Sequence, residues 1–573
     1  MTIAPETIPT ATGMNASPTD FPVHWPKPSD AKLFWQFRPG HFPQPIKPLA
    51  EPFCRGVFED GNDVTEQYGA PVRLRTMVMN GYYYMAFAPP DFAPNGATGA
   101  QPPSLAEVEK HYMSKLRPTL AQLDKLWHAA WLPEIQAYIA ACEAFDLANA
   151  TLADLVTQLA FVRQGQKRMG ELIAHIMLPV SAGMLLFTDL YAELFPDDDQ
   201  FAAFILLQGE MNKTIEGRHA LWQLSRQALA LPTVQQLFAT CTDAELRTQL
   251  PLHEEGRQFR AALDAFLFDY GKRSDSVDVF GNPSWLEDPT PVFKNIRDYL
   301  NQPELDLPAE YQLFLDEVQK TLTRARTRLQ GYPQAVRDQF EQSLATARTA
   351  MMLKENHNYW LDQRASWQVR AILLEFGQRF AAAALIAEPL DVMYLRLDEL
   401  AETAAHFPTL DRHALVATRK AEFAQVAKLK PPPVLGTIPA GPPPNDLITR
   451  GFLSTSGRSQ PPAPMTANTL RGLGGSAGKA RGLAKVVLSL AAAGKLQKGD
   501  ILVTQTTIPP WTPLFATAAA VVTETGGILS HCAVSAREFR IPAVLGITGA
   551  TQRIEDGMLL EVDGDAGIVQ IVE

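Results

Sequence analysis

Apolar residues recur at intervals of three and four through the middle of this chain. LAEVEKHYMSKL (105–116), LADLVTQLAFVRQGQKRM (152–169) and VRAILLEFGQRFAAAALIA (369–387) all show that spacing, and glycine is sparse around them. The period is that of amphipathic helices, and it predicts a long helical array from about 104 to 428. Ahead of it, VRLRTMVMNGYYYMAFAPPDF (72–92) has the composition of one or two strands. The stretch from Phe21 to Phe53 reads as an irregular segment packed by aromatic anchors, Trp35 and His41 among them. Toward the C-terminus the pattern changes. KARGLAKVVLSL, DILVTQTT, AAVVTETGG and MLLEVDGDAGIVQIVE are short Val/Ile/Leu-rich runs bounded by Gly or Asp, as strands alternating with short helices are.

Punctuation divides the chain. Residues 431–464 hold ten prolines, a composition for a semi-rigid, extended linker that cannot join a core. The boundaries read from this are a disordered tail at 1–20, a mainly helical body at 21–428 that includes the aromatic N-terminal segment, a Pro-rich linker at 429–469 and a last domain at 470–573. Within the helical body DYGKRSDSVDVFGNPSWLEDPTP (269–291) must be a long loop, and loops of that length are often functional. The expected fold class is therefore multidomain: a mainly α-helical body followed by a C-terminal α/β domain.

Composition narrows the function. With 573 residues, 46% apolar and 20% charged, the chain has ample material for buried cores. Its net charge of −11 argues against a general nucleic-acid binder, which needs a cationic surface. No stretch of about 18 uncharged apolar residues is evident, so no membrane span is expected. The N-terminus lacks the basic and apolar regions of a signal peptide. Cys54, Cys142, Cys241 and Cys532 are too far apart for a CxxC motif and read as reduced thiols of a cytoplasmic protein. No metal-ligand set is visible.

The sharpest chemical signal is VVTETGGILSHCAVSAREFRIPAVLG (521–546). An apolar strand ends at Thr523-Glu524, Gly526-Gly527 allows backbone angles closed to other residues, and a helix starts near Ser530. Ile541-Pro542 stops that helix. His531 then sits in its first turn, where unpaired N–H groups and the positive end of the helix dipole make an anion site. An imidazole there can attack a phosphoryl group and the amides can hold it.

This segment resembles the phosphohistidine, or swivelling, domain of the PEP-utilising enzymes, a family that includes pyruvate phosphate dikinase and PEP synthase. The family pattern TE-x-GG-x-x-SH-x-A-x-x-ARE-x-x-IPAV-x-G is met almost throughout, and GGSAGKARGLAKVV (474–487) and ILVTQTTIPPWTPLF (501–515) resemble its upstream elements. The resemblance implies that His531 carries the phosphoryl group and that Gly526, Gly527, Ser530 and Arg537 form the phosphate pocket. Arg537 could pair with phosphate or with Glu538. Thr512 could stand near the loop or pack a strand end. Leu529 replaces the threonine that is a regulatory phosphorylation site in dikinases, so that regulation is not expected.

GHFPQPIKPL (40–49), FLFDYGKRSDSVDVFGNPSWLEDP (266–289), LKENHNYWLDQR (353–364) and AEPLDVMYLRLDEL (387–400) resemble the acceptor-substrate domain of rifampin phosphotransferase and, equally, the large subunit of phenylphosphate synthase. The second resemblance implies a separate ATP-grasp subunit that binds ATP and Mg2+, and a small aromatic hydroxyl substrate. The implied reaction converts ATP, a phenolic acceptor and water into AMP, inorganic phosphate and the acceptor phosphate. Another hydroxyl acceptor such as an antibiotic, or a non-catalytic docking role, are the alternatives. Candidate catalytic groups besides His531 are His357 as general base, Arg364 as phosphate clamp and Glu355. On an α-helix, Glu355, Asn358 and Asp362 share one face, and His357, Trp360 and Arg364 another. Lys213, Lys272, Arg273 and Trp360 are candidates for the acceptor site, with a solvated loop pair as the plain alternative for Lys272 and Arg273.

Overall fold

The computed structural model describes residues 21–70, 72–88, 104–274, 276–439, 441, 443, 445–457 and 468–572. The predicted tail at 1–20 and the loop residues 89–103 lie outside these, as do residues 458–467 of the predicted linker. The chain forms two compact units. One draws on residues through Thr119, His128–Leu178 and Ala365–Thr449, the other on Leu120–Trp127, Pro179–Arg364 and Arg450 onward. The long helix Leu152–Leu194 contributes to both. By length and composition alone it contains a window apolar enough to cross a membrane, contrary to the reading of the sequence. Just over half of that window is buried inside the protein, as in a core helix.

In the first unit, β1 (Phe34–Phe37), β2 (Arg73–Met79), β3 (Tyr82–Ala88) and β4 (Val434–Gly436) form an antiparallel sheet in the order β2-β3-β1-β4. Asn80 and Gly81 both have positive φ (46° and 76°), the geometry of a two-residue hairpin turn. The Trp35 indole is buried and donates to the Asp30 carbonyl at 2.8 Å, as an anchor should. His41 packs edge-on against Phe58. His175 stacks on Trp131 and meets the Tyr68 hydroxyl at 3.5 Å, so it too is a packed helix histidine. β4 corrects the linker reading. Pro431–Pro433 pre-set extended backbone, which suits an edge strand. Leu435 is buried, and the Pro432 and Pro433 carbonyls accept from Tyr84 and Phe37. Farther on, Leu447–Ser456 is a helix.

The second unit joins a helical body to a C-terminal α/β domain. The body includes helices Lys213–Leu229, Glu254–Tyr270, Thr290–Leu300, Leu307–Leu329 and Gln334–His357. The C-terminal domain is built on β5 (Thr469–Arg471), β6 (Leu473–Ser476), β7 (Lys479–Val486), β8 (Ile501–Thr504), β9 (Ala520–Thr523), β10 (Ala543–Leu545), β11 (Leu559–Asp563) and β12 (Ile568–Val572). Their order is β5-β12-β11-β7-β8-β9-β10-β6, parallel from β7 through β10 and antiparallel elsewhere. Strand alternation sorts the core. Ile501 and Val503 face one cluster with Ala520, Val522 and Val544. Leu502, Val521 and Leu545 face the other, which also takes Trp511, Phe515, Cys532 and Ala536 and runs on into Leu221, Leu224 and Phe293 of the body. The domain thus shares a continuous apolar core with the helices beside it.

Candidate functional site

The helix that begins at the candidate histidine is His531–Glu538, with extended Ser530 as its N-cap and the Ser530 hydroxyl accepting from Ala533 N–H. His531 is the first helical residue, as its sequence predicts, and is only 8% exposed. Nδ1 lies 3.4 Å from Glu355 Oε2. Nε2 lies 3.2 Å from the Thr512 hydroxyl and 3.3 Å from that of Ser535. Glu355 in turn accepts from the Thr214 hydroxyl at 3.1 Å and pairs with Lys354 at 3.1 Å. Burial alone would raise the Glu355 carboxyl, but Lys354 and His531 together outweigh it and hold this acid well below its ordinary value of 4.5. An anion on Nδ1 favours the tautomer with the proton there, which leaves a lone pair on Nε2, facing the Thr512 and Ser535 hydroxyls.

The glycine loop is placed differently from expectation. Gly526 has φ 112°, which only glycine adopts without strain. The N–H groups of Gly526, Gly527 and Leu529 donate to the carbonyls of Ser456, Thr455 and Ser454, at the end of helix Leu447–Ser456. A Cβ at Gly527 would stand 2.3 Å from the Leu453 carbonyl oxygen. In this structure these amides hold a helix end and not an anion. Arg537 is committed elsewhere through Nε and Nη1, while its Nη2 is buried without a hydrogen-bond partner among the described residues. Its Nε donates to Gln208 Oε1 at 2.9 Å and its Nη1 to the carbonyls of Gly475 and Ile528. It braces the loop from behind. Glu538 pairs with Arg218 at 3.4 Å, and burial pushes the Glu538 carboxyl up to about 7 against the pull of Arg218.

The segment Lys354–Arg364 does not keep the helical faces its spacing predicts. The α-helix ends at His357, and Asn358–Ala365 is π-helical. The wider turn shifts each later side chain relative to an α-helical wheel. His357 is held at both ring nitrogens, by the Lys354 carbonyl and by Asp362 at 3.5 Å. Among the described residues no hydrogen bond or ion pair joins it to His531. Burial raises the Asp362 carboxyl, more than His357 and Asn358 lower it. The Tyr359 hydroxyl donates to the Asp269 carbonyl and accepts from Arg364 Nη1 at 3.1 Å. The Arg364 guanidinium lies over Trp360, whose ring meets Tyr359 edge-on.

The long loop between Tyr270 and Thr290 is present, but its Lys272 and Arg273 are not a solvated pair. Lys272, Arg273, Ser274 and Asp278 are buried in it. Ser274 N–H donates to Gln363 and Trp285 N–H to the Arg273 carbonyl. The Arg273 guanidinium lies 5.3 Å from the Tyr270 ring, 5.2 Å from Trp285 and 6.0 Å from Tyr359. Burial lowers it to about 10. Lys272 covers Phe268. Lys213, the first residue of its helix, pairs with Glu216 and sits 5.6 Å above the Tyr359 ring, and its N–H donates to Asn356. Cationic groups and aromatic rings therefore line the same stretch of the body as Glu355. Among the described residues, no group of three or more His, Cys, Asp and Glu side chains is disposed to hold a metal ion.

Three partners of His531 and Glu355 carried weak signals or none. Ser535 stands four residues after His531 on one helix, which places both on one face. Thr512 belongs to the WTPLF element but could equally have packed a strand end. Thr214 reaches Glu355 across 141 residues, and nothing local announces it.

Residues 496–567 match the mobile domain of PEP-utilising enzymes, and residues 172–355 match the fourth domain of rifampicin phosphotransferase. Similar curated proteins include a chondramide synthase of Chondromyces crocatus, 37% identical over 97% of this chain and 14% of that protein. An uncharacterised phosphotransferase of Bacillus subtilis is 28% identical over 67% of this chain and 45% of its own length. A rifampicin phosphotransferase of Streptomyces sviceus is 31% identical over 64% and 41%. The chain spans less than half the length of each of these relatives. Two segments of the chain are thus similar to a PEP-utilising mobile domain and to a rifampicin phosphotransferase domain.

Proposed function

We propose that this chain carries a phosphoryl group on Nε2 of His531 and delivers it to the hydroxyl of a small phenolic or related aromatic acceptor. The observation that carries the reading is the contact of a buried, ionised Glu355 with Nδ1, which supports Nε2 as the phosphorylated atom. With Nδ1 protonated, cleavage of the Nε2–P bond releases a neutral imidazole, a good leaving group. Ser535 stands where its hydroxyl can donate to the phosphoryl oxygens, whereas the Thr512 hydroxyl donates to the Pro509 carbonyl at 2.7 Å. Arg273, Lys213 and Arg364 supply cationic help for transfer, and the rings of Tyr270, Trp285, Tyr359 and Trp360 favour an aromatic acceptor. The donor is ATP with Mg2+ on an ATP-grasp site, supplied by a separate nucleotide-binding subunit in the cytoplasm. Water takes the other phosphoryl group, so the products are AMP, inorganic phosphate and the acceptor phosphate. His357 acts through Asp362 to shape the π-helical turn.

A second acceptor class, a hydroxyl-bearing antibiotic, is favoured by the match of residues 172–355 to a rifampicin phosphotransferase domain. One experiment addresses both. The chain, combined with an ATP-grasp component, is offered equal amounts of simple phenols, aliphatic alcohols and a rifamycin, and phosphorylated products are identified by mass spectrometry. Phenyl phosphates as the main product support the first reading, and a phosphorylated rifamycin the second. AMP release from ATP by the purified chain alone would overturn the two-component arrangement.

A further inference from the structure

The contact that seats His531 extends well beyond it. Gln208 Nε2 donates to the Val534 carbonyl at 3.1 Å while Gln208 Oε1 accepts from Arg537 at 2.9 Å. Arg218 faces Glu538 at 3.4 Å, with both side chains 4% exposed. The same guanidinium lies over the Phe539 ring at 4.7 Å and the Tyr311 ring at 5.7 Å. At the rim Arg540 pairs with Glu310 at 2.7 Å, and both of these are exposed. Among the described residues none of these side chains hydrogen-bonds to His531, whose ring meets Glu355, Thr512 and Ser535.

Helical spacing ties the contacts into one register. Thr214 and Arg218 are four residues apart on helix Lys213–Leu229 and share a face. His531 and Glu538 are seven apart on helix His531–Glu538 and share a face as well. At one end Thr214 holds Glu355 against His531. At the other Arg218 holds Glu538. A slip of one turn would break both ends together. A buried ion pair adds little net stability because both charges lose their hydration, and its best-attested use is to fix register.

We propose that Arg537–Arg540 is the docking key by which the mobile domain seats on the helical body, and that Arg218 is the positioning residue that reads it. The ARE element then sets where His531 lands. This deepens the carrier reading, on which its purpose rests.

Diethyl pyrocarbonate, which acylates accessible unprotonated imidazoles, tests the key on the full chain without nucleotide or acceptor. The rate of His531 modification is read by mass spectrometry, with exposed His406 and His413 as internal standards. R218E should raise the His531 rate roughly tenfold or more, with the two standards unchanged, and R218E/E538R should return it toward wild type. If R218E unfolds the chain, the exposed rim pair decides. R540E should then speed His531 modification, and R540E/E310R should slow it again. A wild-type rate in a folded R218E chain, or no rescue in either swapped pair, overturns the proposal. Because no turnover is involved, loss of the carrier reading would leave this outcome standing, and loss of the docking key would leave phosphorylation of His531 intact.

Discussion

At the residue scale, the chemistry turns on which imidazole nitrogen is free. Glu355 holds Nδ1, so the proposed function puts the phosphoryl group on Nε2, and heteronuclear phosphorus NMR of the charged protein should show coupling through Nε2 alone. Coupling through Nδ1 would remove Glu355 from its role. Replacing Glu355 by Gln keeps the shape but loses the charge, and should slow phosphoryl transfer by about 10²-fold or more, read as the lifetime of phosphohistidine in the presence of acceptor. The same carboxyl gives a pH signature. Its folded-state pKa lies below its unfolded value near 4.5, so the stability it contributes is present above about pH 4.5 and is lost as pH falls below that. Urea unfolding at pH 6 and pH 4 should therefore show a larger loss for wild type than for E355Q. An equal loss in both would contradict the assignment. His531 itself was legible because Gly-Gly, an N-cap serine and a helical run are local features. Glu355 was legible only as one candidate among several, and Thr214 was not, because a contact across 141 residues leaves no mark in a local window.

At the element scale, two departures from the sequence reading have local causes. The run from Lys354 to Arg364 carries helical spacing throughout, yet its second half is π-helical, so faces counted at 3.6 residues per turn go astray after His357. The proline-rich stretch reads as a free spacer. Its first part nevertheless extends the sheet at β1, because proline fixes the backbone near an extended strand and the missing N–H is tolerated at an edge. Farther on, helix Leu447–Ser456 closes on the glycine loop through three main-chain hydrogen bonds. Gly527→Ala would drive a methyl into the Leu453 and Ser454 carbonyls. The expected cost is about 1–3 kcal/mol, seen as a lower melting temperature and faster amide exchange in residues 526–529. Unchanged exchange there would show that the close approach is not needed.

At the scale of the whole molecule, the helical body and the C-terminal α/β domain follow from the change in apolar period, while the eight-strand order and the shared core do not. Strand order depends on which runs pair at a distance, and period alone does not encode it. His531 lies buried against the body with both ring nitrogens in contact with protein groups. Under the proposed function, a phosphoryl group gained from a nucleotide requires the C-terminal domain to lift and reseat, as a shuttle between donor and acceptor must. The most direct test supplies the chain with an ATP-grasp component and ATP labelled at the β- and γ-phosphates, and follows the label by mass spectrometry. The account predicts label on His531, chased onto the acceptor hydroxyl when acceptor is added and absent altogether in His531→Asn. Acceptor labelled at the wild-type rate in His531→Asn, or label that never reaches His531, would contradict it.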